Sequence, residues 1–368
     1  MIYFLGRLLQ ASVKELSFLR LVDYLSVRSI ASALTAILLT LMLTPIFIRY
    51  LHRRRIVDQL RDTGIPSAFD KAGTPIMGGA VMVGSVLVSC LLWCNLANLY
   101  LLTALGALIW FGLIGLVDDT AKLRARSGDR GLSEITKLAL QAAFALLLVG
   151  LLASPWTPFP DREAFTFYVP FLKFPLFTIA AAYFVIVFFF VMLVGNAVNI
   201  TDGMDGLAIV PSVFVLVVLG VFAYVEGNAV WAKYLQYPLF RGAGELTVFC
   251  SAFAGAGIGF LWFNAYPAQI FMGDAGSLAI GGSLATVSVL LKQEALFLIL
   301  GGLFIAEALS SQIQDKIGIK WLGRRIFSRA PFHHQMQHDG LAETKVVIRL
   351  WIVSLILALA ALATLKVR

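Results

Sequence analysis

Charge is scarce in this 368-residue chain. Asp, Glu, Lys and Arg make up 14% of it, against 60% for the hydrophobic residues. Soluble domains are nearer a quarter charged and half apolar, so a soluble fold is excluded and an integral membrane protein is expected. Cysteine is nearly absent: Cys90, Cys94 and Cys250 all lie in apolar runs. That leaves no disulfide framework and no zinc spacing; Cys90 and Cys94 share a helix face and read as packing residues. A Gly-Lys-Ser/Thr phosphate loop is missing, as are a convincing internal repeat and the basic, apolar, small-residue order of a cleavable signal peptide. The formal charge of +8 does not point to nucleic acid, because the basic residues cluster in a few loops, as the positive-inside rule expects.

What the chain does have is long apolar runs. A span needs roughly 20 apolar residues, and ten segments qualify: about 29–48, 75–94, 98–117, 138–156, 176–196, 207–225, 246–264, 276–291, 295–313 and 348–366. The fold class expected is an all-α integral membrane protein, a bundle of about ten transmembrane helices whose cytoplasmic loops form the active site. Residues 1–28, with Arg7, Lys14, Arg20 and Arg28 between apolar positions, read as an interfacial segment; residues 29–368 read as a single polytopic catalytic domain. The loops after spans one, three and nine carry most of the Lys and Arg. The odd-numbered loops are therefore expected in the cytoplasm and both termini outside.

Every unusual polar motif falls in one of those odd-numbered loops. Asn196-Ala-Val-Asn199-Ile-Thr-Asp202-Gly-Met-Asp205-Gly sets two Asn and two Asp between long apolar runs, with no Lys or Arg inside it. Carboxylates so placed in a membrane protein usually face a wet cavity with an ion or ligand. Thr201 or Asp202 can instead cap the next helix, although capping would leave Asn196, Asn199 and Asp205 unexplained. Asp118-Asp119 closes the third span, and the two side chains point about 100° apart if the helix continues. Lys122 lies one turn on. Asn264 precedes Phe271-Met-Gly-Asp274-Ala-Gly; Asp274 can ligate Mg²⁺, which is commonly held by one or two carboxylates plus substrate phosphate, and Phe271 can stack on a base. His333-His334, beside Arg324, Arg325 and Arg329, read as phosphate-facing donors, since no Cys is near to suggest zinc. Glu307 and Gln314 share a face of span nine. Lys71 stands before Gly73-Thr-Pro-Ile-Met-Gly-Gly79 and reads either as a phosphate contact or as a snorkelling lysine.

Together these blocks resemble the phospho-N-acetylmuramoyl-pentapeptide transferases, within the polyprenyl-phosphate N-acetylhexosamine-1-phosphate transferase superfamily. The likeness covers nearly the whole chain: Lys71–Gly79, Val117-Asp-Asp119, Asn196–Ala208, Gly259–Asn264, Pro267–Leu278, Ala330-Pro-Phe-His-His334 and Ala363–Arg368. It implies a Mg²⁺-dependent enzyme of the bacterial inner membrane, active at the cytoplasmic face as a homodimer among membrane lipids. The implied reaction moves phospho-MurNAc-pentapeptide from UDP-MurNAc-pentapeptide to undecaprenyl phosphate, giving lipid I and UMP in peptidoglycan synthesis. Carried over residue by residue, Asp118, Asp119 and Asp274 match catalytic positions, with Asp274 linked to the metal. Asn199, Asp202, Asp205, Asn264 and Phe271 match the nucleoside pocket; Lys71, Lys122, Gln314, His333 and His334 match further substrate-binding positions. Two departures stand out: Gln335 replaces the third histidine of the family's run, and Ala68 stands where a histidine is common. The resemblance leaves direct attack and a covalent aspartyl-phosphate route both open. A sister transferase using UDP-GlcNAc is the alternative within the superfamily. A transporter with intramembrane carboxylates is the alternative from another class, and it would need broken helices in matching halves.

Overall fold

The computed structural model describes residues 1–5, 17–54, 56, 73–124 and 131–367. In chain order its helices are α1 Leu25–Arg53, α2 Gly79–Trp93, α3 Leu99–Arg124, α4 Glu134–Ala153, α5 Ala180–Thr201, α6 Ile209–Glu226 and α7 Ala229–Leu235. There follow α8 Glu245–Asn264, α9 Asp274–Leu290, α10 Glu294–Leu300, α11 Gly302–Gln312, α12 Phe332–His338 and α13 Glu343–Ala363. A π-helical stretch, Ile313–Trp321, continues α11. Between α4 and α5 the Pro- and aromatic-rich segment makes a small antiparallel hairpin, β1 Thr166–Phe167 on β2 Phe177–Thr178.

All ten apolar segments are helical. Within a bilayer a helix satisfies its own backbone polar groups, and these runs carry few residues that would break one. Among the described residues seven helices are long and apolar enough to cross a membrane, and α10 with α11 makes an eighth if that pair, bent by 82°, is one span. The expected count of ten therefore resolves into seven or eight helices of spanning length and two shorter ones, α2 with 15 residues and α9 with 17. A helix of 17 residues reaches only about 26 Å, against a hydrocarbon thickness of about 30 Å. The shortness of α9 goes with its place in the bundle: every residue from Ala275 to Leu290 is buried, chiefly against α3 and α5, with α2 and α6 alongside. Small residues permit that packing. A Cβ on Gly281 would stand 2.8 Å from Gly195 Cα, and one on Gly276 would stand 2.9 Å from Gly79 Cα. Small-residue contacts are the usual means of close helix approach in membranes. The outer helices keep large apolar side chains exposed, among them Leu34, Leu38 and Met42 of α1 and Ile352, Ile356 and Leu359 of α13.

Arg28, the last residue of the segment expected at the interface, is buried within the protein. The helix α1 begins at Leu25, which turns Arg28 inward, and its guanidinium forms two hydrogen bonds of 2.8 and 2.7 Å to the carboxylate of Glu245 on α8. A bidentate Arg–carboxylate pair is the geometry that tolerates burial best.

Candidate active site

The helix α3 does not end at its acidic pair but runs on to Arg124, so Asp118 and Asp119 point to different partners. Asp118 is fully buried. Its Oδ1 accepts the Leu132 backbone N–H at 2.7 Å, and its Oδ2 lies 2.7 Å from both Lys122 Nζ and Lys137 Nζ. Asp119 turns toward the start of α9. Its two oxygens accept the backbone N–H groups of Asp274 at 3.1 Å and Ala275 at 3.0 Å. The first N–H groups of a helix have no partner inside it and favour negative charge, so Asp119 caps α9 from a neighbouring helix. Gly273, at φ +74°, makes the turn, and a Cβ there would stand 2.6 Å from Asp119 Oδ2.

Asp274, the first residue of α9, is the third carboxylate. Lys122 and Lys137 donate to its Oδ2 at 2.9 and 3.0 Å. Asn199 Nδ2 donates to its Oδ1 at 3.0 Å and to Ser277 Oγ at 2.8 Å. Ligand atoms of Asp118, Asp119 and Asp274 all lie within 4.8 Å of one another. Among the described residues three carboxylates face two ammonium groups, which leaves one formal negative charge over. The set offers only hard oxygen donors, the kind that suits a divalent cation such as Mg²⁺, and the triad is a candidate cation site. Asp274 is the most open of the three, its side chain 16% exposed.

The turn after α5 ties the remaining motifs to this cluster. The expectation that Thr201 or Asp202 caps the following helix is corrected: α6 begins only at Ile209 and has no side-chain cap. Asp202 instead closes α5, one turn beyond Asn199. Asn264 Oδ1 accepts the Gly206 N–H at 3.0 Å while its Nδ2 donates to Ile270 O at 2.9 Å. Asp205 Oδ2 accepts the Ala268 N–H at 3.1 Å. These two side chains brace the 202–206 turn against the loop that leads to Asp274. Phe271, half-buried in that loop, is hydrogen-bonded through its backbone to Pro75 and Gly78, both at 2.8 Å. The segment around Gly73–Gly79 therefore lies against it. Lys71 itself falls outside the described residues.

The other side of the turn meets the histidines. Gly203 abuts the buried His333 ring so closely that no side chain would fit between them. His333 Nδ1 lies 3.0 Å from Glu307 Oε2 of α11. His334 packs on His333, with ring centroids 4.3 Å apart; burial first, and then the neighbouring His333, pull its imidazole down to about 4. Gln314 Oε1 accepts the N–H groups of Ile326 at 3.1 Å and Phe327 at 3.0 Å, which folds the basic loop back onto the π-helical turn.

Of the residues singled out in the sequence, Asp118, Asp119, Lys122, Asn199 and Asp274 are in direct contact. Asp202, Asp205, Asn264, Phe271 and His333 stand one link away through the 199–206 turn and the 264–274 loop. Gln314 and His334 join through α11 and α12 and are not bonded to the carboxylates. Sequence reasoning passed over Lys137, counted only as loop charge, although its place one turn into a capped apolar helix was a usable signal. Glu307, noted in the sequence only for sharing a face with Gln314, belongs to this network through its contact with His333.

Residues 101–292, which hold both arms of this cluster, match the family described as glycosyl transferase family 4. That match spans just over half of the chain and includes Asp118, Asp119, Lys122, Lys137, Asn199 and Asp274. The chain thus belongs to glycosyl transferase family 4.

Proposed function

We propose that this protein transfers phospho-MurNAc-pentapeptide from UDP-MurNAc-pentapeptide to undecaprenyl phosphate, forming lipid I and UMP. The family includes the polyprenyl-phosphate sugar-1-phosphate transferases. The observation that carries the reading is the meeting of Asp118, Asp119 and Asp274 with Lys122, Lys137 and Asn199 at the shared ends of α3, α4, α5 and α9. Within this reading the protein is a homodimer of the bacterial inner membrane. Its site faces the cytoplasm, where the three basic loops lie, and both termini are outside.

Asp274, assisted by Asp118, would hold Mg²⁺. When bound, the ion neutralises charge on the diphosphate and on the departing UMP. Phosphoryl transfer needs mainly positioning and charge stabilisation, and the chain's own groups supply both. Lys122 and Lys137, each bridging two carboxylates, are placed to turn toward phosphate oxygens. Asp119 holds the first turn of α9, and with it Asp274, in register. Asp202 and Phe271 line the nucleoside side. Asp205, Asn264 and Gln314 keep the loops in place, and Glu307 holds the His333 ring against Gly203 beneath the pyrophosphate or sugar side. Lys71 retains its expected role as a phosphate contact.

In the transfer, an oxygen of the lipid phosphate attacks the β-phosphorus. The bond from that phosphorus to the oxygen bridging to UMP breaks, and UMP leaves with the electron pair. Asp118 and Asp119 are buried and already bonded through both oxygens, which favours direct attack over an aspartyl-phosphate. Trapping a phosphorylated aspartate would reverse that preference. The substrate assignment is tested by UMP release from purified protein with undecaprenyl phosphate and either UDP-MurNAc-pentapeptide or UDP-GlcNAc. Turnover of the first donor is expected, and turnover of UDP-GlcNAc alone would move the protein to the sister class.

A further inference from the structure

Gln141 is the only polar residue in the run Leu138–Ala153 of α4, and it is completely buried. Across from it on α5 stands Asn196. Asn196 Nδ2 donates to Gln141 Oε1 at 2.6 Å, and Gln141 Nε2 donates back to Asn196 Oδ1 at 3.3 Å. The Asn196 amide also reaches its own helix, donating to Met192 O at 2.8 Å. The two side chains thus form a reciprocal amide clasp between apolar helix faces, with Asn196 half-buried and the fully buried Gln141 left no water to fall back on.

The clasp sits one turn from the reacting groups on both helices. Lys137 is four residues before Gln141 and on the same face of α4; Asn199 is three residues after Asn196 on α5. Those two residues take hold of Asp274 from opposite sides, Lys137 at Oδ2 and Asn199 at Oδ1, both at 3.0 Å. Apolar packing between α4 and α5 tolerates sliding along the axis. A paired amide resists it, because sliding one helix past the other bends and lengthens both hydrogen bonds together. The same shift would draw Lys137 or Asn199 off the Asp274 carboxylate.

We propose that Gln141 and Asn196 are positioning residues that fix the axial register of α4 on α5, so that Lys137 and Asn199 meet on Asp274. The inference rests on the transferase reading, and it assigns to these two membrane-embedded amides a role beyond ordinary helix–helix adhesion. A misplacement of about 1 Å can cost about 10²-fold in rate, so loss of the clasp is read in turnover more than in folding.

The test is a set of variants assayed by UMP release on the donor that the wild-type protein uses. Mn²⁺ affinity is measured in parallel by electron paramagnetic resonance in detergent, which needs no turnover. Gln141→Leu is expected to lower kcat at least 10-fold with KM changed less than 3-fold, and to weaken Mn²⁺ binding. Leu148→Ala, on the same buried face of α4, is expected to lower thermal stability comparably with kcat unchanged. The exchange Gln141→Asn with Asn196→Gln preserves one long and one short amide and should restore kcat to within about 3-fold of wild type. In a Lys137→Met background Gln141→Leu should add little. Wild-type kcat and Mn²⁺ affinity in Gln141→Leu, or an exchange no better than either single change, or full additivity with Lys137→Met would each overturn the proposal. If Gln141→Leu fails to fold, the exchange variant decides it. A wild-type protein that releases UMP from no donor counts against the transferase reading, and the Mn²⁺ series then judges the clasp by itself.

Discussion

Gly115 offers a sharp test of how the site is held, because it lies where α3 meets the first turn of α9. A Cβ added there would fall well inside 3.0 Å of the Asp274 carbonyl group and the Ala275 nitrogen. All of these are backbone atoms that cannot rotate away, so Gly115→Ala must push the two helices apart. Ordinary contact begins near 3.4 Å, and reaching it requires a separation of about 1 Å or more. The contact from Lys122 of α3 to Asp274, now 2.9 Å, would then lie near or beyond the hydrogen-bond limit. The Asp119 cap at 3.0–3.1 Å would stretch with it. Overpacking costs about 1–3 kcal/mol, so the variant should fold with lowered thermal stability. Its UMP release should fall by about 10²-fold. Gly106, on the same helix, has open space at its Cβ, and Gly106→Ala should leave both quantities unchanged. A Gly115→Ala protein with wild-type rate and melting temperature would refute the claim that this contact sets the geometry of the carboxylates.

Asp119→Asn replaces one acceptor with an amide that confronts a backbone N–H, and an unsatisfied buried group costs about 1–3 kcal/mol. Melting temperature and turnover should therefore fall together; an inactive variant of undiminished stability would show that Asp119 takes part in the chemistry rather than capping α9. His334 titrates well below its unfolded value of about 6.5. Between those two values the unfolded chain binds the extra proton, so stability present above pH 6.5 is lost as pH falls toward 4. His334→Gln should flatten that part of a melting-temperature profile, and an unaltered slope would contradict the assignment.

Much of the architecture was readable in the sequence because apolar length is a strong signal. Each of the ten apolar runs became a helix, and the acidic motifs, scattered over more than 150 positions between Asp118 and Asp274, meet as their shared loop side suggested. What could not be read was direction. Asp118 and Asp119 are adjacent in sequence, yet one gathers two lysines and the other caps a helix that begins 155 residues later; only the packing of α9 on α3 decides this. Lys137 looked like one more basic loop residue until α4 brought it onto Asp274. The 82° bend between α10 and α11 and the burial of Arg28 were likewise outside the reach of periodicity. Composition places a segment in the membrane but does not say which neighbour it packs against.

The most direct measurement is UMP release from UDP-MurNAc-pentapeptide with undecaprenyl phosphate, with Mg²⁺ removed by chelator and then restored, for the wild-type protein and for Asp274→Asn. Mg²⁺-dependent release by the wild type is expected, and almost none by a folded Asp274→Asn. Equal rates from the two proteins, or release by the wild type undiminished without divalent cation, would contradict that expectation.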